Sequence, residues 1–282
     1  MLRTKAGGID QRLVNLEDPV ARISTLAIHL QSAEERKAFA VNKENHTAPI
    51  VATESKANKS AKEALEKGAE EHVNAWRDGH EPLLLEAIAE KLECSVEEII
   101  DFELNLYDTQ PASLGGIGKE FLNSARLDNL ATVFAAFESL TEYAEELPED
   151  SQDISLVVGF DHEEIGSKSA QGAGGPAMYD AVKRISAALN GGTISPDLFN
   201  ACIRKSFVLS VDQAHAIHPN YASKHEAQHA PKLNGGVVVK SNCNQRYSTN
   251  GFTGFVAREL GRMADIPSKY CSTAIAGKGL CE

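Results

Sequence analysis

Short apolar runs that alternate with stretches of helical period constrain the fold of this chain more than any other feature. Residues 154–160 (ISLVVGF) and 207–211 (FVLSV) are continuous runs with acids behind them, a pattern typical of central strands buried on both faces. Residues 237–239 form a third such run. The neighbouring segments have the spacing of amphipathic helices: 127–140, 177–189 and 252–263. This alternation predicts an α/β fold, a layered sheet with helices on both faces.

The first hundred residues are less regular. Segments 26–30 and 48–52 are predicted as short extended pieces, and the Lys- and Glu-rich segment 54–71 as a solvated helix or an excursion loop. Apolar residues four apart predict a helix from Pro82: Leu84, Ile88 and Leu92. Ser95 and Glu98 predict a capping box that opens a short helix. Alternating apolar residues predict a half-buried strand at 102–106.

Charge and composition exclude several classes of function. A net charge of -12 argues against nucleic acid as a partner, because nucleic-acid surfaces are basic. No apolar run approaches the roughly 18 to 20 residues that cross a bilayer, so no membrane partner is expected. The five cysteines are scattered without a C-x-x-C pair, which predicts neither a disulfide framework nor a zinc knuckle. We therefore expect a cytoplasmic protein.

Acidic residues follow the two longest apolar runs. The first run ends in Asp161, His162, Glu163 and Glu164, and the second ends in Asp212. Ligands of open α/β sheets bind beyond the carboxyl ends of the strands. Carboxylates gathered there repel each other unless a cation neutralises them, so the pattern indicates a divalent metal such as zinc. Adjacent Glu163 and Glu164 suggest that one binds metal while its neighbour takes a proton from the attacking water.

Simpler interpretations remain open at this point. Glu163 and Glu164 could be two solvated acids on a loop, and Asp128 could cap the helix that follows it. His215 and His218 could be ordinary core or surface histidines, and Lys240 a solubilising surface charge. A metal-free hydrolase with paired carboxylates, such as a glycosidase, needs two acids that face each other, which sequence neighbours seldom do.

Longer motifs resemble the aspartyl aminopeptidase family of zinc peptidases. They occur in the family's order from about residue 19 to about residue 266: 26–30 (LAIHL), 108–111 (DTQP), 126–130 (RLDNL), 161–167 (DHEEIGS), 210–221 (SVDQAHAIHPNY) and 244–247 (NQRY). The resemblance implies that residues 1–108 are part of an inserted dimerisation domain and residues 109–282 part of a catalytic metallopeptidase domain.

The resemblance also implies a function and roles for individual residues. The family removes N-terminal Asp or Glu from peptides with two zinc ions, and its dimers assemble into homo-oligomeric dodecamers. Asp128 would bridge both metals, Glu164 and Asp212 would each ligate one, and Glu163 would be the general base. Substrate-contacting positions are matched by His215, Lys240, Tyr247 and His29, the last reaching the active site of a partner subunit.

Family members extend beyond this chain on both sides of the match. The resemblance places one histidine metal ligand upstream of Met1 and another beyond Pro267, where the match fades. His162 and His218 lie close in sequence to the matched ligands, but we expect both to point elsewhere. Residues 1–282 in isolation are therefore expected to bind zinc weakly and to turn over little substrate. The alternative function is a catalytically impaired fragment or a non-catalytic oligomer subunit of the same family.

Overall fold

A computed structural model of the chain describes residues 1–38, 40–53, 75–225, 230–242, 244 and 246–273. The chain clusters into two compact units, Met1–Asn123 and Ser124–Glu282. The expected division at residue 108 into a dimerisation and a catalytic domain stays a prediction. Segment 54–71 lies outside the described residues.

The first unit contains short helices and two small antiparallel pairs of strands. Its elements are β1 (Leu2–Arg3), β2 (Ile9–Asp10), α1 (Ala33–Lys37), α2 (Ala75–Asp78), α3 (Pro82–Leu92), β3 (Ser113–Gly115) and β4 (Phe121–Asn123). Strands β1 and β2 pair with each other, as do β3 and β4. Short 3-10 turns occupy Ile28–Leu30 and Val96–Glu98.

Local signals set the bounds of α3. The Glu81 side chain accepts a hydrogen bond from the amide of Leu83, and Pro82 occupies the first turn, where its missing N–H costs nothing. The helix ends at Glu93, which has a left-handed backbone with φ of 53°. Ser95 and Glu98 form the predicted capping box at the start of the next 3-10 turn. Both predictions for this region are confirmed.

A buried cluster holds the first unit together. Leu2, Ile88, Ala89 and Ile99 form its centre, and the ring of Trp76 packs against it at the edge. Trp76 also contacts Phe102 edge-to-face, with ring centroids 4.9 Å apart. The apolar face of α3 therefore stabilises this unit by removing aliphatic surface from water.

Truncation of Ile99 should destabilise the first unit strongly. Ile99 is only 2% exposed, so Ile99→Ala leaves a cavity and should lower the free energy of unfolding by about 2 to 5 kcal/mol. Trp76 is the chain's single tryptophan, so its fluorescence in urea reports on this unit. Ile117→Ala is the matched control, because Ile117 is fully exposed. Equal urea midpoints for the two variants would contradict the assigned core.

The second unit contains longer helices and a parallel strand pair. Its elements are α4 (Leu127–Glu146), α5 (Ala177–Leu189), α6 (Pro196–Lys205), β5 (Val237–Asn242), α7 (Gly251–Met263) and β6 (Ser268–Thr273). A 3-10 turn covers Pro219–Lys224. Strands β5 and β6 are parallel and are joined through α7, with Val237 opposite Ser268. This βαβ connection confirms the predicted α/β class, and α4, α5, α7 and β5 confirm the corresponding segment predictions.

Helix α6 was not predicted, although its start carries a clear signal. Ser195 accepts a hydrogen bond from the amide of Leu198, and Pro196 follows it in the first turn. Phe199 is buried and meets the ring of Tyr179 edge-to-face, with centroids 5.3 Å apart. The helix therefore packs on α5 through an aromatic contact.

The predicted buried strands at 154–160 and 207–211 are wrong for the part of the chain that the structure describes. Both segments lack ladder pairing, and Ile154 and Val208 are 54% and 69% exposed. Leu209 lines a shallow apolar cleft of about 290 Å³ together with β5 and α7, so its segment lies near a strand without joining it. An apolar run indicates that its residues tend to be buried. A β-strand also needs a partner strand in register, which the run does not specify.

Two smaller predictions in the first unit also fail. Residues 102–106 form no strand, and Leu106 is exposed. The ring of Phe102 packs against Trp76 instead of lying in a sheet. Segment 26–30 is not a simple extended piece, since Ile28–Leu30 closes a 3-10 turn. At 48–52 only Ile50 pairs, through a single bridge to Arg22.

No helix among the described residues combines the length and the apolar character needed to cross a membrane.

Candidate functional site

Asp128 lies at an irregular start of helix α4. Its backbone angles are φ -88° and ψ 112°, and those of Asn129 are φ -117° and ψ 18°, so neither residue is helical. The peptide bond between the two is cis. Arg126 precedes the first residue of α4, and its side chain makes no capping hydrogen bond. The extended backbone of Asp128 is compatible with a cap for the helix that follows Asn129, so the cap and the metal ligand both stay predictions.

The structure brings Asp128 and Asp212 together. Partial removal from water, a carboxyl–carboxylate hydrogen bond with Asp212, and the negative charges of Asp212 and Glu164 all raise the pKa of Asp128. The positive charge of Lys240 acts in the opposite direction. Asp128 is exposed as a residue. The predicted ligands Asp212 and Glu164 thus both lie within electrostatic range of Asp128.

Lys240 is the cation nearest this carboxylate group among the described contacts. It lies on β5, and its Nζ is 3.3 Å from Oδ2 of Asp212 and donates to the Gln213 carbonyl oxygen at 2.9 Å. Its side chain is only 15% exposed. The partly buried ammonium group therefore offsets some of the negative charge of the acids.

Glu163 and Glu164 lie in a turn after the first apolar run, and both are exposed. The amide of Gly166 donates to the Glu163 carbonyl at 2.9 Å, and the amide of Ser167 donates to the His162 carbonyl at 2.9 Å. The ring Nδ1 of His162 is 2.7 Å from Oγ of Ser169. These hydrogen bonds restrain the backbone of the turn that carries Glu163 and Glu164.

The two histidines near the predicted ligands have other partners. His162 bonds Ser169 as described, and Nδ1 of His218 accepts from the amide of Asn220 at 3.2 Å. The ring of His218 also contacts that of Tyr221, with centroids 5.0 Å apart. These bonds involve Nδ1 of each ring, and the expectation that neither histidine substitutes as a metal ligand stays a prediction.

The remaining predicted site residues are placed less tightly. His215 is exposed in the segment after Asp212, and Tyr247 is half-buried in the loop between β5 and α7. His29 belongs to the exposed 3-10 turn Ile28–Leu30 of the first unit. The substrate-binding roles of these three residues stay predictions.

Sequence reasoning missed two amide side chains beside the acids. Nδ2 of Asn129 donates to the Val211 carbonyl at 2.9 Å, and Nε2 of Gln213 donates to Oγ1 of Thr132 at 2.6 Å. Asn129 and Gln213 directly follow Asp128 and Asp212 in the chain, so adjacency to a predicted ligand is the signal that could have found them.

The acids fit a divalent cation in their chemistry. The neighbouring carboxylates raise the pKa of Asp128, and a bound cation would relieve the same repulsion. Carboxylate oxygens are accepted zinc ligands. Within the described ranges, however, no group of three or more Cys, His, Asp or Glu side chains is already drawn close enough to hold a metal. The carboxylates are thus gathered, but they do not form a closed coordination shell.

Comparison with known proteins gives a consistent result. A family model described as "Aminopeptidase I zinc metalloprotease (M18)" matches residues 1–275. The "Probable aspartyl aminopeptidase" of Ricinus communis is 41% identical over 269 residues, covering 91% of this chain and 54% of the relative. The aspartyl aminopeptidase of Dictyostelium discoideum is 37% identical over 279 residues, covering 95% and 58%. The chain therefore spans about half the length of these curated relatives.

Solved structures agree with the sequence comparison. The chain matches a protein in the cryo-EM structure of the Ape4 and Nbr1 complex with a TM-score of 0.78 and 36% identity, over 96% of this chain and 50% of that one. It matches the S. cerevesiae mApe1 dodecamer with a TM-score of 0.69 and 30% identity, over 90% and 51%. Both likenesses support the α/β class.

Proposed function

Because the chain belongs to the M18 family of aminopeptidases, we propose that it acts as a zinc-dependent aminopeptidase that removes Asp or Glu from the N-terminus of peptides. The observation that carries this proposal is the contact of Asp128 with Asp212, beside the charges of Glu164 and Lys240. The relatives named aspartyl aminopeptidases support the acidic substrate. These names give no support to the alternative of a non-catalytic subunit.

In this proposal three carboxylates hold the metal. Asp128 would hold both zinc ions, with Glu164 holding one and Asp212 the other. When bound, zinc supplies Lewis acidity that polarises the scissile carbonyl and makes water acidic enough to attack at neutral pH. The added positive charge would also lower the repulsion between the carboxylates of Asp128 and Asp212.

Glu163 is the proposed general base. It shares the turn of Glu164 but is not assigned to the metal, so its carboxylate remains able to take a proton from the attacking water. It then delivers that proton to the nitrogen of the leaving peptide. The hydrogen bond from the Gly166 amide to the Glu163 carbonyl restrains the turn, so Glu163 stays close to the proposed ligand Glu164.

Lys240 is the proposed determinant of acidic specificity. Its ammonium group is a point charge able to pair with a substrate carboxylate, and at 15% exposed it lies where that pair would be partly shielded from water. His215, Tyr247 and His29 are the other proposed substrate contacts, with His29 acting in a neighbouring subunit. A homo-oligomer follows from this role of His29 and is supported by the dodecameric relative. We place the protein in the cytoplasm, because its cysteines show no disulfide pattern.

Chromogenic peptides test the proposed function. With added zinc in excess, to offset weak binding, we expect faster cleavage of an N-terminal Asp or Glu peptide than of an N-terminal Leu peptide. A strong chelator should abolish cleavage of all three. Activity that persists in chelator would contradict the metal-dependent mechanism. Faster cleavage of the Leu peptide would contradict the acidic specificity alone.

Removal of the Lys240 charge should change substrate preference. Lys240→Met keeps the length of the side chain but loses a charged hydrogen bond, which is worth a fall of about 10- to 100-fold in kcat/KM for an N-terminal Asp peptide. The Leu peptide, which lacks the carboxylate, should be affected far less. Lys183→Met on α5 is the matched control, because Lys183 is exposed on the same unit. An equal fall for both peptides would show that Lys240 does not read the acidic side chain.

A further inference from the structure

We infer that Asn129 and Gln213 are positioning residues that tie helix α4 to both sides of Asp212 and so hold the carboxylates of Asp128 and Asp212 together. As positioning residues of a metal site, they rest on the proposed function. The ties themselves are properties of the metal-free chain.

The two ties flank the acid pair symmetrically along the chain. Asn129 donates to the carbonyl of Val211, the residue before Asp212, from 82 residues away. Gln213, the residue after Asp212, donates to Thr132 from 81 residues away. Asn129, whose backbone is not helical, and Thr132 lie three positions apart at the start of α4. Asp212 is therefore fastened to one patch of α4 from both sides.

The backbone alone does not keep Asp212 in place. Segment 207–211, which leads into it, has no ladder pairing in the part of the chain that the structure describes. Side-chain hydrogen bonds must then supply the restraint that a sheet would otherwise provide. Oδ1 of the same Asn129 amide is buried and lacks a hydrogen-bond partner among the described contacts, so the amide is anchored on one side while Nδ2 makes an exposed bond.

The ties oppose a definite force. Asp128 and Asp212 are each adjacent in sequence to a residue of the ties, so the ties keep two carboxylates close together, and ionised carboxylates at close range repel each other. Without the ties, the segment before Asp212 could move away from α4 and reduce that repulsion. A metal would then have to draw the acids together at the moment of binding. Hydrogen bonds that orient ligands typically change metal affinity by about 10- to 100-fold when removed.

Matched variants of Thr132 test the inference through zinc affinity, measured by calorimetric titration of the full chain. Thr132→Val keeps the shape but removes the acceptor hydroxyl, and Asn129→Leu removes the other tie; each should weaken zinc about 10-fold or more. Thr132→Ser keeps the hydroxyl and should bind zinc like the parent. Thr141→Val is the control, because its hydroxyl donates to Phe137 within the same helix and ties nothing else. Circular dichroism confirms that each variant is folded.

A metal-free double-mutant cycle tests the tie itself. Thr132→Val and Gln213→Leu break the same hydrogen bond from opposite ends. The double variant should therefore lose little more urea resistance than the worse single variant. Additive losses overturn the tie, whatever zinc does.

The two measurements separate failure of the inference from failure of the proposed function. If the parent binds zinc and the Val and Leu variants bind it equally well, the positioning role is wrong and the metal site stands. If the parent binds no zinc even in excess, the proposed metal site is wrong. The cycle then decides alone, with non-additive losses supporting the ties and additive losses overturning them.

Discussion

Glu163→Gln is expected to abolish measurable turnover while leaving zinc content near that of the parent. The amide has the size of the carboxylate but cannot accept a proton from the attacking water, and a general base contributes about 10²- to 10⁴-fold to such reactions. The substitution leaves the turn intact, because the bond to Gly166 uses the main-chain carbonyl of residue 163. Steady-state rates on an N-terminal Asp peptide, together with metal analysis of the same samples, measure both halves of the prediction.

Glu164→Gln provides the sharpest comparison for Glu163→Gln. The two acids are adjacent, exposed and in one turn, so a general disturbance of the loop would affect both variants alike. We expect Glu164→Gln to lose zinc as well as activity, because it is the proposed ligand. Glu138→Gln, at an exposed position of α4, should change neither. If Glu163→Gln lost as much zinc as Glu164→Gln, the assignment of Glu163 as general base rather than metal ligand would be wrong.

Asp128→Ala should have the second large effect, the loss of the metal itself. The carboxylate of Asp128 contacts that of Asp212 and senses the charge of Glu164, so it is the centre of the gathered acids. A bridging ligand serves both ions, so its removal should lower the zinc bound at equilibrium, in dialysis against excess zinc, to the background and activity with it.

Asp180→Ala is the control for this loss. Asp180 is an exposed acid in the first turn of α5, within the same unit. Its variant should keep the zinc content and activity of the parent. Metal content in Asp128→Ala that matches the parent would refute the bridging role.

Local signals carried the correct parts of the fold prediction. Helix α3 was predicted from apolar residues four apart and from Pro82, and the capping box from Ser95 and Glu98, all of which act within a few residues. Segments 154–160 and 207–211 failed because strand pairing depends on a distant partner that a single run does not specify. Helix α6 was missed although Ser195 and Pro196 mark its start and its apolar residues recur at helical spacing: Leu198, Phe199, Cys202 and Ile203.

The candidate site divides in the same way. Asp128, Glu164 and Asp212 were named from acids behind apolar runs and from a family resemblance, and the structure gathers them even though the runs are not strands. Asn129 and Gln213 could not be found by pattern, because each bonds a partner more than eighty residues away. Contacts between residues so far apart in the sequence form only when the chain folds.

Diffraction from zinc-soaked crystals at the zinc absorption edge tests the central claim most directly, because it locates the metal rather than its effects. The claim predicts an anomalous peak about 2.0 to 2.2 Å from carboxylate oxygens of both Asp128 and Asp212. Glu164 should lie beside a second peak that Asp128 shares. Zinc peaks only at other side chains, with none between Asp128 and Asp212, would contradict the claim.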